Sequence, residues 1–197
     1  MKDNGSYQPY SYFQLMEVSL RELLVEKGVV TEAQVAAAVQ DMRGRTPELG
    51  ARVVAKAWLD PVFKAKLLEN GSRSCQELGI EIASLKLVVV ENTTAVHNVV
   101  VCTLCSCYPR MLLGIPPEWY KSRNYRSRTV REPRAVLAEF GLVIGEKIKI
   151  RVHDSTADMR YLVLPMRPGG TEGWDEQKLA SIVTRDCMIG VAVPLVS

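Results

Sequence analysis

Apolar residues recur at helical spacing through the first third of the chain. Phe13, Met16 and Leu20 lie three or four positions apart, and the same spacing returns within residues 31–42 and 49–58. Side chains spaced in this way share one face of a helix, because an α-helix turns once every 3.6 residues. The pattern therefore predicts successive helices, each with an apolar face.

Local signals mark where these helices begin and end. Thr31 followed by Gln34 is typical of a capping box at a helix start. Asp60 followed by Pro61 predicts the start of another helix, and Gly71 predicts its end.

The periodicity changes after residue 79. Residues 85–90 and 96–101 are rich in β-branched side chains and are separated by a polar turn, which predicts two strands. Residues 147–152 and 160–164 are interpreted as a further strand pair. Short helices are expected between and after these strands.

Together these patterns predict an α+β protein. We expect a loose polar tail over residues 1–11, a helical N-terminal arm over 12–79 and a layered α/β domain over 80–197. With 197 residues, of which 47% are hydrophobic, the chain is long enough to bury a sizeable core.

Charge and hydropathy argue against two classes of partner. The formal net charge of +3 is too small to indicate nucleic acid, although residues 121–134 hold a basic run with two tyrosines beside it. We interpret that run as a solvated face or a subunit interface. No apolar run reaches membrane-spanning length and none follows a basic N-terminal region, so we expect a cytoplasmic protein with no membrane partner.

Three cysteines fall within six residues, in a segment called here the cysteine loop, Cys102–Cys107. Thiolates are strong ligands of transition metals, and Cys102, Cys105 and Cys107 are close enough in sequence to bind one ion. If Cys105 and Cys107 bind the same ion, the backbone nitrogens of Ser106 and Cys107 are pressed against it. Three sulfurs and two amides make five ligands and leave a sixth position for water or substrate, unlike the closed tetrahedron of structural zinc.

Other interpretations of the cysteine loop stay open on spacing alone. A Cys3His zinc site would take His97 or His153 as its fourth ligand. A disulfide between Cys105 and Cys107 would be strained, and nothing in the sequence indicates an oxidising compartment. Spacing favours a metal but does not choose between zinc and a redox-active one.

The segment Val101–Pro109 resembles the metal-binding motif of the α subunits of nitrile hydratases. The resemblance extends over residues 14–194, through segments that occur in the same order: Ala55–Trp58, Val90–Asn92, Pro116–Trp119, Tyr125–Arg128, Val130–Arg134, Leu164–Pro168 and Val183–Asp186. Family members combine a helical N-terminal arm with an α/β domain, in agreement with the pattern above. The related thiocyanate hydrolases carry the same motif, so the motif alone does not identify the substrate.

The resemblance implies a set of metal ligands. Cys102 would be the axial thiolate, Cys105 and Cys107 the equatorial sulfurs, and Ser106 and Cys107 the equatorial amide nitrogens. Cys105 resembles the position that is oxidised to a sulfinic acid. Cys107 resembles the position that is oxidised to a sulfenic acid and takes part in catalysis.

The metal is suggested by two neighbours of the ligands. The cobalt type of the family has threonine and tyrosine at the positions of Thr103 and Tyr108, whereas the iron type usually has serine and threonine. The resemblance therefore implies a non-corrin Co³⁺ centre in preference to Fe³⁺.

The implied reaction is the addition of water across a nitrile to give an amide. The anionic oxygens on the oxidised sulfurs need donors, and in this family arginines of a partner β subunit supply them. We therefore expect a β subunit as partner, as one chain or split into two, together with a nitrile substrate.

Arg110 and Trp119 are the candidate substrate-binding residues. Many nitrile hydratases have tryptophan at the position of Arg110, while thiocyanate hydrolases look similar to this chain there. A cation beside the metal favours an anionic or polar substrate. The alternatives are a salt bridge for Arg110 and core packing for Trp119.

Three functions from different classes follow. The main hypothesis is the α subunit of a cobalt nitrile hydratase. The metal subunit of a thiocyanate hydrolase is the second, and a cobalt-binding protein without catalysis is the third.

Overall fold

The computed structural model describes residues 11–82, 85–105 and 107–196 of the chain. Most of the predicted tail over residues 1–11 lies outside this range. Clustering of the backbone divides the chain into two compact units, Met1–Arg43 and Gly44–Ser197. None of the described helices is long and apolar enough to cross a bilayer.

The first unit contains α1 (Tyr12–Glu26) and the main part of α2 (Glu32–Gly44). The capping box predicted before α2 is confirmed: the Thr31 backbone N–H donates to Gln34 Oε1 at 2.8 Å, and the Gln34 N–H donates to Thr31 Oγ1 at 3.1 Å. Neither helix has a buried residue, so their apolar side chains stay accessible.

The second unit contains short helices around four strands. Its elements are α3 (Pro47–Leu59), α4 (Pro61–Glu69), α5 (Gly71–Glu77), β1 (Lys86–Glu91), β2 (Val96–Val101), α6 (Arg110–Leu113), α7 (Glu118–Lys121), α8 (Arg123–Thr129), α9 (Pro133–Glu139), β3 (Lys149–Asp154), β4 (Met159–Leu164), α10 (Glu176–Ser181) and α11 (Arg185–Ile189). Helices and strands coexist in one unit, which confirms the α+β class.

The compact units divide earlier than the predicted arm, which ran to residue 79. Helices α3 to α5 lie in the second unit. They do so because their buried side chains, among them Val53 and Leu67, join the same core as Leu87 of β1.

Gly71 begins a helix and does not end one. Helix α4 begins as predicted, with Asp60 Oδ1 accepting from the backbone N–H of Val62 at 2.9 Å. It ends at Glu69 because the Asn70 side chain caps α5, where Asn70 Oδ1 accepts from the Arg73 N–H at 3.0 Å.

The strands pair differently from the prediction. Strand β1 pairs in parallel with β4, and β2 pairs in parallel with β3, as two separate two-stranded sheets. The predicted pair formed by residues 147–152 and 160–164 is therefore wrong, although both strands exist. The four strand sequences have similar compositions, so composition does not show which strand pairs with which. Parallel pairing also needs a long connection between the two strands, and local sequence does not indicate where that connection leads.

The parallel register places two functional segments side by side. Val101, the last residue of β2, lies opposite Asp154, the last residue of β3. The residue that follows Val101 is Cys102, so the cysteine loop leaves the sheet at the edge where Asp154 also stands. The carboxyl ends of parallel strands meet at one edge, and this prediction of a metal loop at a strand end is confirmed.

A buried polar network stiffens the strand that carries the cysteine loop. Asn92 Oδ1 accepts from the backbone N–H of Asn98 at 2.7 Å, and Asn98 Oδ1 accepts from His153 Nε2 at 2.8 Å. His97 Nε2 donates to the Gly190 carbonyl at 2.7 Å. These bonds tie β2 to β3 and to the end of α11.

Gly190 is the backbone position that this packing depends on most. Its φ is +88°, and a Cβ built there would lie 2.0 Å from the Asn98 carbonyl oxygen in β2. We expect Gly190→Ala to lower the free energy of unfolding by about 3 kcal/mol, because it adds a backbone clash to left-handed strain. Thermal or urea unfolding would measure the loss.

Gly79→Ala is the matched control for Gly190→Ala. Gly79 also has positive φ, +73°, but a Cβ there meets nothing within 4 Å. We expect a loss of only about 1 kcal/mol. Equal losses in the two variants would show that contact with β2 does not matter.

Candidate metal centre

The three sulfurs of the cysteine loop lie within one small volume. Cys102 Sγ is 3.4 Å from Cys105 Sγ, and Cys105 Sγ is 3.1 Å from Cys107 Sγ. All three lie within 4.8 Å of one another. A disulfide bond is about 2.05 Å long, so neither pair is bonded.

The sulfur spacing fits an octahedral centre better than a tetrahedral one. With metal–sulfur bonds of about 2.3 Å, sulfurs at a right angle lie about 3.3 Å apart and sulfurs at the tetrahedral angle about 3.8 Å apart. The separations of 3.4 and 3.1 Å match the right angle. The donor set therefore fits a strong-field ion with further ligands.

Exposure differs among the three sulfurs. Cys102 directly follows β2 and is fully buried, whereas Cys107 is half-buried and Cys105 is exposed. Burial and the adjacent Cys105 sulfur raise the pKa of the Cys107 thiol to about 12, against the opposing positive charge of Arg160. A metal must displace these protons, so positive charge near the loop favours binding.

Asp154 holds the start of the cysteine loop. Its Oδ1 accepts from the Thr103 backbone N–H at 2.9 Å, and its Oδ2 accepts from Thr103 Oγ1 at 2.5 Å. The carboxylate reaches both donors because Asp154 ends β3 beside the end of β2. Asp154 thus holds both the backbone and the side chain of Thr103, the residue that follows Cys102.

Helices α7 and α8 hold the other side of the loop through its carbonyls. Tyr120 Oη donates to the Cys107 carbonyl at 2.8 Å, and Arg126 Nη1 donates to the Cys105 carbonyl at 2.7 Å. Tyr125 Oη donates to the Val100 carbonyl at 2.7 Å, just before the loop. Burial raises the pKa of Tyr120, which keeps its hydroxyl protonated as a donor.

Among the described residues, buried polar atoms without a hydrogen-bond partner occur on two side chains that interact with this loop, Arg126 and Arg160, and on Tyr108 and Ser155. Tyr108 Oη, Arg126 Nε and Arg160 Nε are buried and make no hydrogen bond within the part of the chain that is described. Such groups are rare in proteins and need an explanation. Arg126 binds the Cys105 carbonyl, and the charge of Arg160 favours the thiolate of Cys107, so these two arginines belong to the surroundings of the loop.

The structure brings the predicted cysteine ligands together, and Ser106 lies outside the described residues. Arg110 is the first residue of α6, is exposed and has no ion pair among the described residues. Trp119 packs edge-to-face on Tyr125 and Phe140, with ring centroids 4.9 and 4.8 Å apart. It also lines a cavity of about 260 Å³ between α7, α8 and α9.

Both histidines form hydrogen bonds with residues outside the cysteine loop. His97 is buried, which lowers its pKa and keeps it neutral, and its two ring nitrogens face Gly190 and Asn92. His153 Nε2 bonds to Asn98. Among the described residues no histidine joins the cysteine cluster, which argues against the Cys3His zinc alternative.

Sequence reasoning missed Asp154, Tyr120 and Arg126. Asp154 stands at a strand end, which is a weak signal, but its role depends on the register of β2 and β3. Arg126 lies in the basic run and Tyr120 precedes it, and the sequence pattern predicts a solvated face or a subunit interface there. Much of that run makes intrachain bonds, such as Arg134 to the Ile144 carbonyl and Lys121 to Glu118.

Thr103→Val tests whether the Asp154 contact supports metal binding. Valine has the shape of threonine but cannot donate to Asp154 Oδ2, so the loop start is less firmly held. We expect about a tenfold fall in metal retained after dialysis, measured by elemental analysis. Thr103→Ser keeps the donor and is the control; equal metal content in both variants would contradict the role of this contact.

Comparisons with known proteins agree with this site. The family model of the nitrile hydratase alpha chain matches residues 11–192. The low-molecular weight cobalt-containing nitrile hydratase subunit alpha of Rhodococcus rhodochrous is 49% identical over 180 residues, which cover 89% of this chain and 86% of that subunit. The thiocyanate hydrolase subunit gamma of Thiobacillus thioparus is 46% identical over 196 residues, covering 93% of this chain and 81% of that subunit.

A solved structure gives the same result. A recombinant thiocyanate hydrolase with partially modified cobalt centres superposes with a TM-score of 0.90 and 45% identity, covering 95% of this chain and 92% of that one. The fold, the three clustered sulfurs and a match over nearly the whole length agree. The chain belongs to the nitrile hydratase alpha-chain family.

Proposed function

We propose that this chain is the metal-carrying α subunit of a cobalt nitrile hydratase, an enzyme that adds water to a nitrile and releases the amide. The observation that carries the proposal is the clustering of the three loop sulfurs within 4.8 Å of one another, with two of the pairs 3.4 and 3.1 Å apart. Relatives at about half identity that are named as cobalt-containing support cobalt over iron.

The proposed ligands are the sulfurs of Cys102, Cys105 and Cys107 with the backbone nitrogens of Ser106 and Cys107. Exposure supports the expected oxidation of two sulfurs. An oxidant reaches Cys105 and Cys107, which are exposed and half-buried, whereas Cys102 is 0% exposed. The resemblance to the family implies a sulfinic acid at Cys105 and a sulfenic acid at Cys107, and we adopt that assignment.

Trivalent cobalt, when bound, supplies a Lewis acid that polarises the nitrile. Cys107 would be the catalytic residue. Its sulfenate oxygen would either attack the nitrile carbon itself or activate a water molecule that attacks it. Tyr120 fixes the Cys107 carbonyl from one side, and Asp154 fixes Thr103 from the other. The reacting groups are thus oriented by contacts within this chain before substrate arrives.

A partner chain covers the loop in the proposed enzyme. Leu104 in the loop is 85% exposed and Ile115 after α6 is 64% exposed. Apolar side chains beside a metal centre are typical of an interface. The family membership implies a β subunit, and we propose that it closes the substrate pocket, either as one chain or as two.

Helix α1 offers the partner a second apolar surface. Tyr12, Phe13 and Leu20 are 70%, 80% and 57% exposed, and the helix buries no residue. Thiolate ligands favour a reducing compartment, so we propose the cytoplasm as the location of the assembled enzyme.

A thiocyanate hydrolase subunit is the second candidate. It is favoured by the exposed Arg110, three residues after Cys107 in the chain, and by the similarity to the Thiobacillus thioparus subunit. A cationic side chain suits an anionic substrate. The two functions are separated by substrate and not by fold.

The chain co-expressed with its β subunit in cobalt medium tests the function. We expect about one cobalt per α subunit by elemental analysis, and amide formation from nitriles that exceeds ammonia release from thiocyanate. The reverse order of activities would favour the thiocyanate hydrolase, and bound cobalt without either activity would favour a binding protein. Stoichiometric zinc without cobalt would contradict the metal assignment.

Two cysteine variants serve as matched controls in that experiment. Cys105→Ala removes one sulfur and should leave the complex without cobalt. Cys75 is fully buried, with its thiol pKa raised by burial to about 12, and is not part of the sulfur cluster. Cys75→Ala should therefore keep both cobalt and activity.

Arg110→Trp tests the proposed substrate contact. If the guanidinium faces the open ligand position, it favours substrates with acceptor atoms and disfavours small apolar nitriles. We expect the ratio of kcat/KM for a small apolar nitrile over a polar heteroaromatic nitrile to rise about ten- to a hundredfold, equivalent to about 1.5–3 kcal/mol.

The control for this prediction is Arg123→Trp, since Arg123 is an exposed arginine at the start of α8. It makes the same chemical change away from the loop and should leave the ratio unchanged. An unchanged ratio in fully metallated Arg110→Trp would place Arg110 outside the pocket.

A further inference from the structure

Arg126 is the arginine of the basic run that reaches the cysteine loop. Its Nη1 donates to the Cys105 carbonyl at 2.7 Å. The next arginine, Arg128, instead bonds to Glu139 through Nη2 at 2.6 Å. Arg131, two residues after the end of α8, donates from Nε to the Ser127 carbonyl of that helix at 3.1 Å. The contact of Arg126 is therefore not a general property of this helix.

The atom that Arg126 contacts belongs to a peptide unit with a special role. The Cys105 carbonyl and the nitrogen of Ser106 form one planar amide, in which charge is shared between nitrogen and oxygen. That nitrogen is a ligand in the proposed site. When it coordinates as an anion, part of its negative charge moves onto the Cys105 oxygen.

The hydrogen bond from the guanidinium to that oxygen is stronger with the metal bound than without it. Arginine stays charged at every relevant pH, and its bond to a charged acceptor is roughly twice as strong as a neutral one. The Nε of Arg126 is buried and lacks a partner among the described residues, so this one atom loses its hydration where the side chain stands.

We propose that Arg126 is a positioning residue that compensates, from within this chain, the negative charge on the peptide unit joining Cys105 to residue 106, and so favours retention of the metal. The proposal rests on the proposed ligand set. It adds an intrachain cation to those that the partner subunit is expected to supply. Tyr120 anchors the neighbouring Cys107 carbonyl as a neutral donor and provides a contrast.

The test uses the cobalt-loaded complex of the chain with its β subunit, carrying Arg126→Gln, Arg126→Lys or Arg131→Gln. Three quantities are measured: the half-life of cobalt loss to a chelator, the sulfur-to-cobalt charge-transfer absorption and the melting temperature. The absorption reports the electron density at the ligands, which a tether without charge would not change.

We expect Arg126→Gln to lose cobalt about ten times faster than the unsubstituted chain and to shift the absorption band. Arg126→Lys keeps the charge and should recover most of the retention. Arg131→Gln removes the same charge from an exposed residue near the end of α8 that does not touch the loop, and should behave like the unsubstituted chain.

The outcomes separate this proposal from the proposed function. An unsubstituted complex without cobalt would overturn the function itself. Cobalt in that complex, with unchanged half-life and absorption in Arg126→Gln, would overturn only the role of Arg126. Equally fast cobalt loss in Arg126→Gln and Arg126→Lys would show that Arg126 holds the loop through its hydrogen bond and not through its positive charge. If Arg126→Gln does not fold, Arg126→Lys decides alone: near-normal retention supports the proposal and complete loss overturns it.

Discussion

Three sulfurs confined to one small volume repel one another once they ionise, and the second unit of this chain is organised around holding them there. Two of the three pairs of sulfurs are only 3.4 and 3.1 Å apart. Burial opposes ionisation further, as the raised pKa of Cys107 shows. A loop of this kind keeps its geometry only when its backbone is fixed from outside and positive charge is near.

The surrounding fold supplies both requirements. Strand β2 is buried along most of its length and delivers Cys102 at a fixed position, and its parallel partner β3 places Asp154 where it bonds Thr103. Helices α7 and α8 add donors to the carbonyls of Cys105 and Cys107. These anchors from outside the loop bind its backbone or Thr103 and do not bind a sulfur.

The sequence predicts well the features that depend on neighbouring residues, and it misses the features that depend on residues far apart in the chain. Spacing within six residues indicated a shared ion at Cys102, Cys105 and Cys107, and the capping box at Thr31 depends on neighbours three positions apart. The pairing of the strands depends on residues far apart in the chain, so similar β-branched runs could not reveal it. The role of Asp154 follows from that pairing, and the strand prediction alone could not reach it.

The arrangement divides the metal centre into an inner and an outer part. This chain fixes the loop backbone through Asp154, Tyr120 and Arg126. It leaves Leu104 and Cys105 exposed, and in the proposed enzyme a second chain covers this outer face, excludes water and completes the pocket. Such a division explains why a subunit can hold its ligands in place and still depend on assembly for catalysis: the geometry of the ligands is encoded in one chain, whereas the pocket forms only between chains.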